Sequence, residues 1–264
     1  MTVQAIAFDL DGTLLRPDGS ISDYTVSVLQ QAAQRGIHVI PASGRTSSSM
    51  GRLVERTGCA SCYIACNGAE VRTPDHQVLM QELLPVALGR EVAAWAREQN
   101  CYAQTYVGAK FFYSMHGRYA DEYAVQSALT GEYVGDLVSF ISAPMPKLLL
   151  MDSPARIAQL LSMAREKWGD VASLTCSAPH FLEVNPLNAT KGNALRWCAE
   201  HLGFSMDRLV TFGDSLNDLS MLTAAGTGVA MANARDDVKA VIPVHCLSNQ
   251  EDGVARYIEQ HILK

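Results

Sequence analysis

Near its start the chain has a short, largely apolar run, "VQAIAF", that stops abruptly at "DLDGT". Such a run, without alternation, suits a strand buried on both faces of a parallel sheet. Helical spacing follows: between Ser22 and Arg35, the residues Val28, Leu29, Ala32 and Ala33 fall along one side. Ser22 is placed to cap this helix and Gly36 to end it. "GIHVIPA" and "CYIAC" read as second and third strands, running into "SGR" and "NGAE". Repeated strand–helix–strand units predict a parallel, doubly wound sheet.

The middle of the chain has a different pattern. A helix from about Val86 to Gln99 leads into "CYAQTYV", the turn "GA" and "KFFYSM", which together predict a hairpin. A helix near Arg118–Leu129 follows, then the strand "KLLLM", a helix after Pro154, and paired strands around "VASLTC" and "HFLEV". Hairpins mixed with helices predict an α+β module. After Pro186 the alternation resumes with a helix from about Thr190, the strand "RLVTFGD", a further helix and "GVAM". The expected architecture is an α/β core of residues 1–84 and 186–264, interrupted by an α+β insertion of residues 85–185.

Composition narrows the classes. Of 264 residues 48% are hydrophobic, so a substantial core is expected. The net charge is −6 and no basic run occurs, which argues against nucleic acid or an anionic membrane as partner. No stretch reaches the ~18 apolar residues of a membrane span, and the first residues lack a basic-then-apolar leader. A cytoplasmic protein is expected. The seven cysteines are scattered, as reduced thiols are. Cys59, Cys62 and Cys66 form C-x2-C-x3-C, but no fourth ligand lies nearby, so they are expected to be packed thiols and not a zinc site.

Chemistry concentrates where strands end or helices begin. In open α/β sheets, ligands bind outside the carboxyl ends of the strands. "DLDGT", "SGR", "ATKGN" and "GDSLND" all occupy such places. Asp9 and Asp11 do not start a calcium loop, because the sixth and twelfth positions are Leu14 and Ser20. Asp214 precedes Asn217 and Asp218 by three and four residues, which puts them on one face of a helical turn. Lys191 stands near a helix start, where a cation opposes the macrodipole unless an anion is bound. Ser43 and Gly44 offer a hydroxyl beside a backbone N–H. Together these groups are the equipment of a metal-assisted phosphate site.

The combination resembles the haloacid dehalogenase-like superfamily of phosphohydrolases, and within it the Cof-type group with a type B cap. "FDLDGTLL", "ASGR", "NGAEV", "LEVNPLNATKGNAL", "FGDSLNDLSML", "GVAMANA" and "SNQEDGVARYIE" carry the resemblance. Ser43 stands where many relatives have Thr, and "MANA" replaces the usual "MGNA". The resemblance implies a Rossmann-like core and makes the insertion a cap. It implies that Asp9 is the nucleophile and Asp11 the general acid and base. Asp9, the backbone carbonyl of Asp11 and Asp214 would ligate Mg2+. Ser43, Lys191, Asn217 and the backbone N–H groups of Leu10 and Gly44 would hold the phosphoryl group, with Asp218 orienting Lys191 or a metal-bound water.

The implied activity is hydrolysis of small phosphorylated metabolites, sugar phosphates or cofactor precursors, by a monomer or weak homo-oligomer. A phosphomutase would need a second basic site, whereas the insertion offers Lys110, Arg118, Lys147 and Arg156 but no arginine cluster. A non-catalytic phosphate-binding regulator would be expected to lack one of the four motifs. In "CYAQTYV", alternation puts Cys101, Ala103, Thr105 and Val107 on one face and Tyr102, Gln104 and Tyr106 on the other. The second face is expected to look onto the core site and select the leaving group.

Overall fold

A computed structural model describes residues 2–264. Strand β1 (Ala5–Phe8) has four side chains without solvent exposure, which explains its unbroken apolar sequence. Helix α1 (Asp23–Gln34) starts where the Ser22 hydroxyl accepts the Thr25 N–H, and β2 (His38–Pro41) follows. Then come α2 (Ser47–Thr57), β3 (Tyr63–Ala65), β4 (Glu70–Arg72) and β5 (Val78–Gln81). The next stretch holds α3 (Val86–Glu98), β6 (Tyr102–Val107), β7 (Lys110–Tyr113), α4 (Arg118–Ser127), β8 (Thr130–Tyr133) and α5 (Leu137–Phe140). It continues with β9 (Leu148–Met151), α6 (Pro154–Trp168), β10 (Ala172–Thr175) and β11 (Phe181–Pro186). The chain ends with α7 (Lys191–Leu202), β12 (Leu209–Gly213), α8 (Leu219–Ala224), β13 (Thr227–Ala230), α9 (Asp236–Val241), β14 (Val244–His245) and α10 (Gly253–His261).

Residues up to Met80 together with Thr190–Lys264 form one compact unit, and Gln81–Ala189 form another. The first unit is built on a parallel sheet of order β14-β13-β12-β1-β2. The chain moves one way from β1 to β2 and the other way from β12 to β13 and β14, so the switch point lies between β1 and β12. Phe8 is in register with Phe212, and the Asp9 N–H continues the ladder to the Phe212 carbonyl at 3.0 Å. Asp9 and Asp214 therefore leave adjacent strands at one edge.

The third strand departs from the expected pattern. β3 runs beside β2 through an isolated parallel bridge, Ala42 to Ile64, with the Ser61 N–H on the Val39 carbonyl, and its ladder belongs to a small sheet of order β3-β4-β5. The cause is local. Cys66, Asn67 and Gly68 all have positive φ, which reverses the chain into an antiparallel β4.

The second unit is α+β. Its sheet has the order β10-β11-β9-β6-β7-β8, antiparallel except for the β7–β8 pair. Helices α3, α5 and α6 cover one face, with Val92, Trp95, Leu160 and Trp168 packed on Ala103, Leu148, Leu150, Leu182 and Val184. Helix α4 covers part of the opposite face, where Ala120 and Tyr123 join Tyr102, Tyr106, Phe111, Leu149 and Phe181.

Candidate active site

Four backbone segments of the first unit supply the polar residues. "DLDGT" leaves β1, Ser43–Arg45 follows β2, Thr190–Lys191 opens α7, and Asp214–Asp218 follows β12. Each is placed by the sheet or by a cap. The Thr190 hydroxyl caps α7 by accepting the Asn193 N–H at 3.1 Å, which fixes Lys191 in the first turn. The Ser43 hydroxyl accepts the Arg45 N–H at 3.1 Å and so rigidifies its own turn.

Lys191 is the centre of the arrangement. Its side chain has no solvent exposure, and its Nζ donates to Asp9 Oδ1 at 2.5 Å and to Asp218 Oδ1 at 2.6 Å. Burial alone would lower the lysine pKa, but Asp218 and Asp9 reverse this and hold it above the ordinary value. Asp9 keeps Oδ2 without a hydrogen-bond partner among the described residues. Burial raises the Asp9 pKa well above the usual carboxylate range; Lys191 opposes this, while Asp218, Asp214 and Asp11 reinforce it. Asp214 accepts the Thr13 hydroxyl at 2.8 Å, yet burial and the neighbouring Asp218 push its pKa up to about 7.

Gly12 makes the approach of Asp214 possible. At φ +82°, a Cβ on Gly12 would lie 2.5 Å from Asp214 Oδ2. A side chain there would both strain the turn and displace the carboxylate.

Asp9, Asp214 and Asp218 offer carboxylate oxygens within 4.8 Å of one another, the spacing of a divalent-cation site. Asp218, however, has both oxygens engaged: Oδ1 with Lys191, and Oδ2 with the N–H groups of Asp214 and Ser215 at 2.9 and 3.0 Å. Its geometry orders the loop and the lysine. The carboxylates left to face a cation are those of Asp9 and Asp214, with three carboxylates around one ammonium. That imbalance fits a hard cation such as Mg2+, which takes one or two carboxylates and neutralises their repulsion.

The remaining expected residues are also placed in this unit. Leu10 and Ser43 are buried, and Asn217 is 8% exposed, its amide N–H donating to Asn67 Oδ1 at 3.0 Å. Asp11 points to a more open environment, where Arg45 grips it with Nε to Oδ2 at 2.7 Å and Nη2 to Oδ1 at 2.6 Å. Arg45 and Asn67 are the residues that sequence reasoning passed over. Both lie inside motifs already singled out, "ASGR" and "NGAEV", but neither spacing nor residue type reveals a partner 34 or 150 positions away.

The row in β6 differs from expectation. Tyr102, Gln104 and Tyr106 are buried, and they are bonded to one another. Tyr102 Oη donates to Gln104 Oε1, Gln104 Nε2 to Tyr106 Oη, and Tyr106 Oη to Tyr123 Oη of α4, each at 2.8 Å. The alternation is as read, but α4 closes over the second face, so these polar groups form part of the unit's own core. Buried and bonded in this way, Tyr102, Gln104 and Tyr106 do not present the open polar face expected for selecting the leaving group. Cys62 and Cys66 are buried and Cys59 is partly so, none of the three is in a disulfide, and among the described residues the cysteines form no metal-ligand group.

Comparison with known proteins extends the geometry. A family model described as haloacid dehalogenase-like hydrolase matches residues 6–258. The phosphatase YwpJ of Bacillus subtilis is 30% identical over 99% of this chain and 100% of its own length. The 5-amino-6-(5-phospho-D-ribitylamino)uracil phosphatase YcsE of the same organism is also 30% identical, over 99% of this chain and 96% of its own. A crystal structure of a haloacid dehalogenase-like hydrolase from Bacteroides thetaiotaomicron superposes with a TM-score of 0.87 at 27% identity, covering 98% of this chain and 99% of that one.

Proposed function

The chain belongs to the haloacid dehalogenase-like hydrolases, and from that premise we propose that it is a Mg2+-dependent phosphatase of small phosphorylated metabolites, working through an aspartyl-phosphate on Asp9. The observation that carries this reading is the buried Asp9–Lys191–Asp218 chain beside Asp214 at the switch point of the sheet. A carboxylate with one oxygen fixed by a lysine presents the other in a defined direction, as an in-line nucleophile requires.

In the first step Asp9 Oδ2 forms a bond to phosphorus as the ester P–O bond breaks. Asp11 delivers a proton to the departing oxygen. In the second step Asp11 removes a proton from water, the water oxygen attacks phosphorus, and the Asp9–phosphate bond breaks to release inorganic phosphate. Lys191, the Ser43 hydroxyl, the Asn217 amide and the N–H groups of Leu10 and Gly44 stabilise charge on the phosphoryl oxygens. Asp9, Asp214 and the Asp11 carbonyl would hold Mg2+, whose charge neutralises the carboxylates and the substrate together. Arg45 fixes the orientation of the Asp11 carboxylate.

Hydrolysis is favoured over mutase chemistry by the cations of the second unit. Lys147 is buried against Glu183 at 2.7 Å, and Lys110 pairs with Glu132 at 3.0 Å. Sugar phosphates and cofactor precursors are the proposed substrates, in keeping with the small phosphorylated compound in the name of one relative. No helix among the described residues is long and apolar enough to cross a membrane. A cytoplasmic location and a monomeric or weakly associated state complete the proposal.

The test is phosphate release from a panel of phosphorylated metabolites, with and without Mg2+, with Asp9→Asn as control. Release that requires both Mg2+ and Asp9 supports the reading. Release unaffected by Asp9→Asn, or none from any member of the panel, overturns it.

A further inference from the structure

We propose that Asn67 is a positioning residue of the phosphate site, whose amide oxygen sets the orientation of the Asn217 amide. The inference rests on the phosphatase reading, in which Asn217 contacts the phosphoryl group.

The turn that contains Asn67 is strained and firmly held. Cys66, Asn67 and Gly68 have φ of 50°, 57° and 107° in succession. Left-handed backbone is unfavourable for an L-residue, less so for Asn, and it persists only where the surroundings over-determine it. Here they do. The Cys66 N–H donates to the Arg45 carbonyl at 2.8 Å, and the Asn67 N–H donates to the Ser43 carbonyl at 3.0 Å. Gly68 lies against α7, where a Cβ would fall 2.3 Å from the Thr190 carbonyl oxygen. One three-residue turn thus abuts the loop of Ser43 and the helix start of Lys191.

The side chain of Asn67 adds the third connection. It is 1% exposed, and its Oδ1 accepts the Asn217 Nδ2–H at 3.0 Å in a buried environment. A carboxamide is nearly symmetric in shape but not in hydrogen bonding. With its amino group turned to Asn67, Asn217 retains a second N–H for an anion. Without an acceptor at position 67, rotation of the amide by 180° would turn its carbonyl oxygen toward that anion. Asn67 therefore decides which end of Asn217 an incoming phosphate meets. It acts through Asn217 and does not touch substrate.

Asn67→Gly removes the amide and accommodates the left-handed backbone without strain, so the side chain is tested apart from the turn. With the Mg2+-loaded wild type turning over an aryl phosphate, Asn67→Gly and Asn217→Ala should each weaken competitive inhibition by inorganic phosphate. The expected loss is roughly 10- to 100-fold, the range for one hydrogen bond to a charged group. The double variant should be no worse than Asn217→Ala alone. In Asn67→Asp, which keeps an acceptor oxygen and tolerates the left-handed region, Asn217→Ala should still cost its full factor. That second comparison serves equally if Asn67→Gly is poorly folded. Phosphate inhibition of wild-type strength in Asn67→Gly, or losses that multiply in the double variant, would overturn the proposal. Absence of turnover by the wild type on any phosphate ester would instead overturn the phosphatase reading.

Discussion

Lys191 lies between two carboxylates, and the same substitution at each of them should have unequal consequences for stability. Asp218→Asn replaces a buried carboxylate that accepts from Lys191, Asp214 N–H and Ser215 N–H. A carboxamide has one acceptor oxygen, so its amino group must face either the ammonium or the pair of backbone donors. At least one charge-assisted hydrogen bond is lost, at about 1.5–3 kcal/mol, and donor faces donor where it was. Breaking a buried ion pair by removing one partner costs about 3–5 kcal/mol. We take about 3 kcal/mol, because Lys191 keeps Asp9. At ~2–4 °C per kcal/mol for a unit of this size, Tm should fall by roughly 6–12 °C.

Asp9→Asn also removes a partner of Lys191, but there the carboxylate is repelled by Asp218, Asp214 and Asp11 and opposed by burial. Neutralising it relieves those costs while Lys191 keeps Asp218. Tm should stay within about 3 °C of wild type, near 1 kcal/mol, or rise. The assay is thermal unfolding of both variants and wild type in chelator, so that no cation masks the repulsion. Activity should be lost in both. A Tm for Asp218→Asn equal to that of Asp9→Asn would refute the division of roles between the two aspartates.

Added Mg2+ should raise the Tm of wild type by more than that of Asp9→Asn, since binding to the folded state alone stabilises it; equal shifts would remove Asp9 from the cation site. Ca2+, which takes more ligands at longer distances, should inhibit turnover, and full activity in excess chelator would remove the metal altogether. Gly12→Ala brings a Cβ to 2.5 Å from Asp214 Oδ2 in left-handed backbone; kcat/KM should fall about 100-fold, the scale for misplacing a group near the chemistry by ~1 Å, and near-wild-type kinetics would show the turn to be compliant. Tyr106→Phe leaves Gln104 and Tyr123 short of a buried partner; denaturant unfolding should show a loss of about 1–3 kcal/mol with kcat/KM unchanged in ratio between an aryl phosphate and the best metabolite. A selective loss for the metabolite would show that this row reads the substrate.

Much of this protein was legible before any coordinates. The apolar "VQAIAF" run marks a strand buried on both faces and "RLVTFGD" marks a further strand, and β1 and β12 are these strands. Ser22, Gly36 and Thr190 mark helix ends, because capping is a local matter of one side chain and a few backbone groups. The polar residues at those ends are therefore identifiable as a set. Their chemistry follows from residue type.

Long-range partners are not local, and these only the tertiary structure decided. Nothing in "ASGR" announces that Arg45 grips Asp11, nor in "NGAEV" that three left-handed residues reverse the chain after β3 into an antiparallel β4 and bring Asn67 onto Asn217. Asp218 reads from its spacing like Asp214, yet the fold directs both its oxygens inward to Lys191 and the loop amides. In β6 the alternation named the two faces correctly, but which of them is covered depends on where α4 packs. Periodicity and capping are properties of a few consecutive residues, so the sequence determined the elements and the inventory of chemical groups. The pairing of those groups depends on how distant segments meet, and that was settled by packing.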